Sequence, residues 1–151
     1  MEARTLKIKS PLSKQLAQPG GRTIADAERL ADAGLQRHKA DVMVDLERRI
    51  GQLETVCAAA APDQQPQVYA LASGIVDLAG FFDTGPLYSA AYSLCELCDR
   101  MQTLGVWNWP AVEVHVKALR LILAGGCTVG AESDVLLQGL SRVLTAFAPA
   151  A

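Results

Sequence analysis

The chain has 151 residues, enough for one domain with a core of its own. Apolar residues make up 50% and charged residues 20%, which excludes a largely disordered chain. A net charge of −2 gives no general electrostatic reason to bind nucleic acid, and no apolar run approaches the ~20 residues needed for membrane insertion.

The composition favours helices. There are 24 Ala and 20 Leu but only 5% aromatics, and Ala and Leu lose little side-chain freedom in a helix. The N-terminal stretch MEARTLKIKSPLSK has no apolar segment of the kind a secretory signal carries. Four Cys in a chain of this size do not form a disulfide framework, so a reduced, cytoplasmic protein is expected.

Residues 1–22 read as a flexible basic arm, with Pro11, Pro19, Gly20 and Gly21 among Arg4, Lys7, Lys9, Lys14 and Arg22. It is either a solvated tail or a lure for an acidic partner. Residues 23–148 read as a single helical domain. Thr23 is the expected N-cap of its first helical region, with Asp26 and Glu28 in the first turns. Ile24, Ala27, Leu30, Ala31 and Leu35 then fall at helical spacing, as do Met43, Leu46, Ile50, Leu53 and Cys57. Gly34 and the polar run 36–39 mark a possible bend, giving a short and a longer helix or one bent one.

Pro62 and Asp63 end this region and begin another helix, striped by Val68, Leu71, Ala72, Ile75, Leu78, Ala79 and Phe82. Asp83-Thr84-Gly85-Pro86 is a turn, with Pro86 suited to a first helical turn. The next stripe is Leu87, Ala90, Ala91, Leu94, Leu97, Cys98 and Met101, ending near Gly105. Asn108 caps a helix carrying Val112, His115, Val116, Leu119, Ile122 and Leu123, which Gly125-Gly126 closes. A last helix runs from about Gly130 to Phe147. The fold predicted is all-α: an antiparallel four-helix bundle with an additional N-terminal helix and the arm.

Signatures of catalysis are scarce. No GxGxxG follows a strand pattern, and no Walker, HExxH or GxSxG motif occurs. Cys95 and Cys98 form a CxxC inside a helical stripe. A structural zinc site needs four ligands, and no second paired spacing supplies them. Neither a metal nor a cofactor is expected, and no enzyme activity. His38 sits on a polar face, while His115 falls near an apolar stripe, where a packing role outweighs a nucleophilic one. Trp107 and Trp109 read as lids on the core or as an exposed contact pair.

The stretch Val68 to Met101, VYALASGIVDLAGFFDTGPLYSAAYSLCELCDRM, resembles the helical hairpin of histidine phosphotransfer (HPt) domains, four-helix bundles of bacterial phosphorelays. Ser93-Leu94-Cys95 and His115-Val116-Lys117-Ala118-Leu119-Arg120 match stand-alone bacterial HPt-like proteins, and the resemblance spans most of residues 23–124. Aligned on Ser93-Leu94-Cys95, with Phe82 in line, the phosphoacceptor histidine position falls on Ser73, the assisting lysine on Val76 and the small glycine on Asp77. No histidine lies between Leu53 and Val114.

The resemblance implies a degenerate HPt-like adaptor that binds a receiver domain or histidine kinase without passing phosphate. The implied contact face is Tyr69, Ser73, Val76, Asp77, Gly80 and Tyr88. Two other readings stand beside it. One is genuine phosphotransfer through His115 or His38. The other is self-association as a homodimer through the long first helix.

Overall fold

The computed structural model describes residues 20, 21, 23–82 and 84–148. The expected arm lies outside the described residues except for Gly20 and Gly21. Among the described residues the chain is all-helical, with no strand. Five α-helices follow one another: α1 (Ile24–Ala59), α2 (Gln65–Ala79), α3 (Gly85–Leu104), α4 (Trp109–Ala124) and α5 (Ala131–Ala146), with a 3-10 turn at Pro62–Gln64 before α2.

The first helical region is one helix of 36 residues, the single-helix alternative of the two that the sequence left open. Thr23 and Asp26 cap it reciprocally. The Asp26 N–H donates to Thr23 Oγ1 at 3.1 Å, and the Thr23 N–H donates to Asp26 Oδ2 at 3.2 Å. Gly34 does not break the helix, because an interior glycine costs only about 1 kcal/mol and no proline follows. Ala60, in the left-handed region at φ 48°, ends α1 just ahead of Pro62.

Contacts divide the chain into two units between His38 and Lys39, within α1. In the first unit every described residue is exposed except the half-buried Asp26. Ile24, Leu30 and Leu35 keep helical spacing yet are 81, 54 and 57% exposed. Periodicity marks the helix in this stretch but not a buried stripe.

The second unit holds the core. Val42, Leu46, Ile50, Leu53 and Val56 bury one face of α1. Helix α3 packs against α2, α4 and α5. Its buried stripe (Leu87, Ala90, Ala91, Leu94, Leu97, Cys98 and Met101) is the one read from the sequence. Arg120 of α4 holds α1 by a bidentate pair to Glu54, Nε to Oε1 at 2.7 Å and Nη2 to Oε2 at 2.8 Å, and also meets Glu47. The guanidinium keeps the Glu54 carboxyl below its ordinary range.

Asn108 caps α4 as expected, its Oδ1 accepting from the Ala111 N–H at 2.9 Å. Gly105 closes α3 in the left-handed conformation at φ 66°, where a side chain would be strained. Trp107 and Trp109 meet edge to face at 5.5 Å, half-buried against the core, as lids rather than an exposed pair.

Leu94 is fully buried in α3 and Leu35 is exposed in α1. Leu94→Ala is expected to cost about 2–5 kcal/mol. Leu35→Ala is expected to stay within about 0.5 kcal/mol of the parent. Urea unfolding of the two variants checks both values.

Candidate functional site

Pro66 lies in the first turn of α2, where its missing N–H costs nothing. Val68, Ala72, Ile75 and Ala79 face the core. The spacing i, i+4, i+7, i+11 then gathers Tyr69, Ser73, Val76 and Gly80 on another flank, with Asp77 beside them. On α3 the same spacing gathers Tyr88, Tyr92, Cys95 and Asp99.

The hairpin lays these two rows side by side. At one end, a Cβ on Gly80 would lie 3.7 Å from Tyr88 Cε2. At the other, the Asp99 carboxylate is close enough to hold the Tyr69 hydroxyl above its ordinary pKa.

The turn that sets this register depends on Thr84. Its buried hydroxyl donates to the Ala79 carbonyl at 2.8 Å, and its carbonyl accepts from the N–H groups of Leu87 at 2.8 Å and Tyr88 at 3.1 Å. The sequence shows the turn but not this role, because nothing local marks a Thr hydroxyl as buried.

Of the six residues predicted for the contact face, Tyr69, Asp77, Gly80 and Tyr88 are exposed, and Ser73 and Val76 are half-buried. All six lie on the α2–α3 flank. Phe81, 83% exposed at the turn, and Tyr92 and Asp99 of α3 belong with them and were not read from the sequence. Extending the spacing from Tyr88 by four and eleven positions would have found the last two. Tyr88 and Tyr92 stack with ring centroids 6.3 Å apart and planes 16° from parallel. A shallow hollow of about 610 Å³ opens between Val76, Asp77, Gly80, Phe81 and Tyr88.

A cation does approach α2, but on a different flank. The Arg49 guanidinium of α1 occupies the space a side chain on Gly74 would need. It also donates to Asp45 Oδ2 at 3.2 Å. Gly74 lies about 160° around the helix from Val76 and about 120° from Gly80, and about 60° from Asp77, so Arg49 lies away from the Val76–Gly80 row.

His115 lies elsewhere and is fully buried. Its Nδ1 donates to the Ala111 carbonyl at 3.0 Å, since a carbonyl can only accept. Nε2 therefore accepts from the Ser93 hydroxyl, also at 3.0 Å. Ser93 and His115 come from the two segments that carry the family resemblance, and they bind each other across the α3–α4 contact. Burial depresses the pKa of His115, partly offset by the bond to Ala111. His38 is exposed on α1, in the other unit.

The thiols are free. Burial pushes Cys95 up to about 11, with further rises from Asp99 and Asp77. Burial likewise pushes Cys98 to about 12 and Cys57 to about 11. Among the described residues no group of His, Cys, Asp or Glu could hold a metal ion. Compared with known proteins, the chain matches no family model, no curated protein and no solved structure.

Because the folded pKa of His115 lies below its unfolded value near 6.5, the stability it confers is present above that pH. It is lost as pH falls towards the folded pKa. Urea unfolding between pH 7.5 and 5, roughly that window, is expected to show falling stability in the parent and a flatter profile in His115→Gln. Equal slopes would show that the ring titrates normally. With a pKa near 11, Cys95 is expected to resist iodoacetamide at neutral pH far better than a free thiol.

Proposed function

We propose that the chain is a non-catalytic adaptor that binds a signalling partner through the α2–α3 flank without passing phosphate. The family resemblance makes that partner a receiver domain or a histidine kinase. It also implies an antiparallel HPt-like four-helix bundle with an additional N-terminal helix. The short connections between successive helices favour such antiparallel neighbours.

One observation carries the reading: the flank combines an exposed aromatic surface with the loss of phosphoacceptor chemistry. All three tyrosines of the chain lie there, joined by Phe81. Large apolar surface left open to water is costly, and tyrosine is the kind of side chain that anchors protein contacts. At the acceptor position stands Ser73, whose hydroxyl is a weak nucleophile at neutral pH without an activating base. Val76 supplies no cation for phosphoryl oxygens, and Asp77, one turn from Ser73, would repel them.

Burial weighs against transfer through His115, whose two ring nitrogens are both engaged. The exposed Ile24, Leu30 and Leu35 favour self-association along α1 as a second reading. Light scattering that finds a monomer at high micromolar concentration would remove it.

Titration against a panel of receiver domains, with and without a phosphoryl mimic, tests the proposal. Saturable binding is expected, abolished by Gly80→Arg while far-UV circular dichroism is unchanged. The Cβ at Gly80 needs only a small adjustment against the Val76 carbonyl, 3.3 Å away. Binding to no receiver, or binding that survives Gly80→Arg, would overturn it. Ser73→His alone is expected to gain no efficient labelling from a phosphodonor, because Val76 and Asp77 still oppose the chemistry.

A further inference from the structure

The α2–α3 flank has a distinctive charge. Between Arg49 and Arg100 the sequence contains no Lys or Arg, while Glu54, Asp63, Asp77, Asp83, Glu96 and Asp99 all fall there. The two arginines that bound this run are directed elsewhere. Arg49 lies over Gly74 and is paired with Asp45. Arg100 donates to Glu96 Oε1 at 2.5 Å and to the Leu144 carbonyl at 2.8 Å, against α5.

The flank itself therefore presents tyrosine rings, apolar side chains and the exposed carboxylates Asp77 and Asp99, one on each helix. Their fields overlap in the groove. Both act on the Cys95 thiol, and Asp99 also acts on the Tyr69 hydroxyl.

We infer that this flank selects a protein segment that presents arginine among apolar side chains, and that it disfavours a phosphorylated one. The inference rests on reading the α2–α3 flank as the docking surface, and it adds the chemistry of the partner. A guanidinium is planar and can lie on a tyrosine face while its N–H groups reach a carboxylate. The near-parallel rings of Tyr88 and Tyr92 offer such a face between Asp77 on α2 and Asp99 further along α3. Apolar neighbours of the arginine fit the hollow bounded by Val76, Phe81 and Tyr88. A phosphoryl group brings nearly two negative charges to a surface whose described residues supply two of their own and no lysine or arginine.

Selection of a random-peptide display library on the full chain tests this. Enriched peptides are expected to combine arginine with large apolar residues. For a synthetic peptide of the enriched sequence, the double variant Asp77→Asn/Asp99→Asn is expected to bind about tenfold more weakly and to lose most of its salt dependence. The same peptide carrying a phosphoserine beside its arginine is expected to bind at least about tenfold more weakly to the parent.

The double variant Tyr88→Ala/Tyr92→Ala reports the docking surface independently, since both rings are exposed and their loss leaves the core intact. If it abolishes binding while the Asn variant binds like the parent, or if the enriched peptides are acidic or uncharged, the charge inference is overturned and the docking surface stands. If the alanine variant binds undiminished, or no peptide is enriched, the docking surface itself is overturned. Circular dichroism of each variant confirms that its helices are retained.

Discussion

Helix α3 is committed on more than one side, and this constraint organises the second unit. Its buried stripe runs from Leu87 to Met101, and the alanines at 90 and 91 keep it slim where neighbouring helices approach. One flank carries Ser93 and Arg100, which bond to α4 and α5. The other carries Tyr88, Tyr92, Cys95 and Asp99 and faces α2. What α3 leaves exposed is therefore fixed by what it must bury elsewhere. A change on the Ser93 flank disturbs the α4 contact.

The same division explains two motifs that look chemical in the sequence. Ser93 and His115 are a hydroxyl and an imidazole in direct contact, a pairing that elsewhere activates a nucleophile. Here the ring is fully buried and its far nitrogen is bound to a backbone carbonyl. The pair satisfies two polar groups at a helix–helix contact and holds its register. Arg120, from the same segment as His115, ties α4 to α1 through Glu54 and Glu47. The CxxC at Cys95 and Cys98 is likewise explained by packing, since burial raises both thiols.

The stripes of α2, α3 and α4 were legible in the sequence because their apolar positions recur at helical spacing and Pro62, Pro86, Gly105 and Asn108 mark their ends. The Thr23 cap was legible from its residue type ahead of a helical stripe, and spacing placed Tyr69, Ser73, Val76 and Gly80 on one face of α2. Three features were not. Continuity of α1 through Gly34 is decided by the absence of any competing structure, which no single residue signals. The exposure of Ile24, Leu30 and Leu35 depends on which helices reach them, a tertiary fact. The burial of the Thr84 hydroxyl and the position of Arg49 over Gly74 arise from packing between segments distant in sequence.

An exposed aromatic flank and a fifty-residue run without a lysine or arginine, with the serine at position 73, are the grounds for proposing a surface that holds a partner and does not move phosphate. The most direct measurement is amide hydrogen exchange on the full chain with and without a bound receiver domain. Slower exchange is expected within residues 69–81 and 88–99. Protection that appears instead on α4 and α5, or only along residues 24–38, would contradict the assignment of the α2–α3 flank as the docking surface.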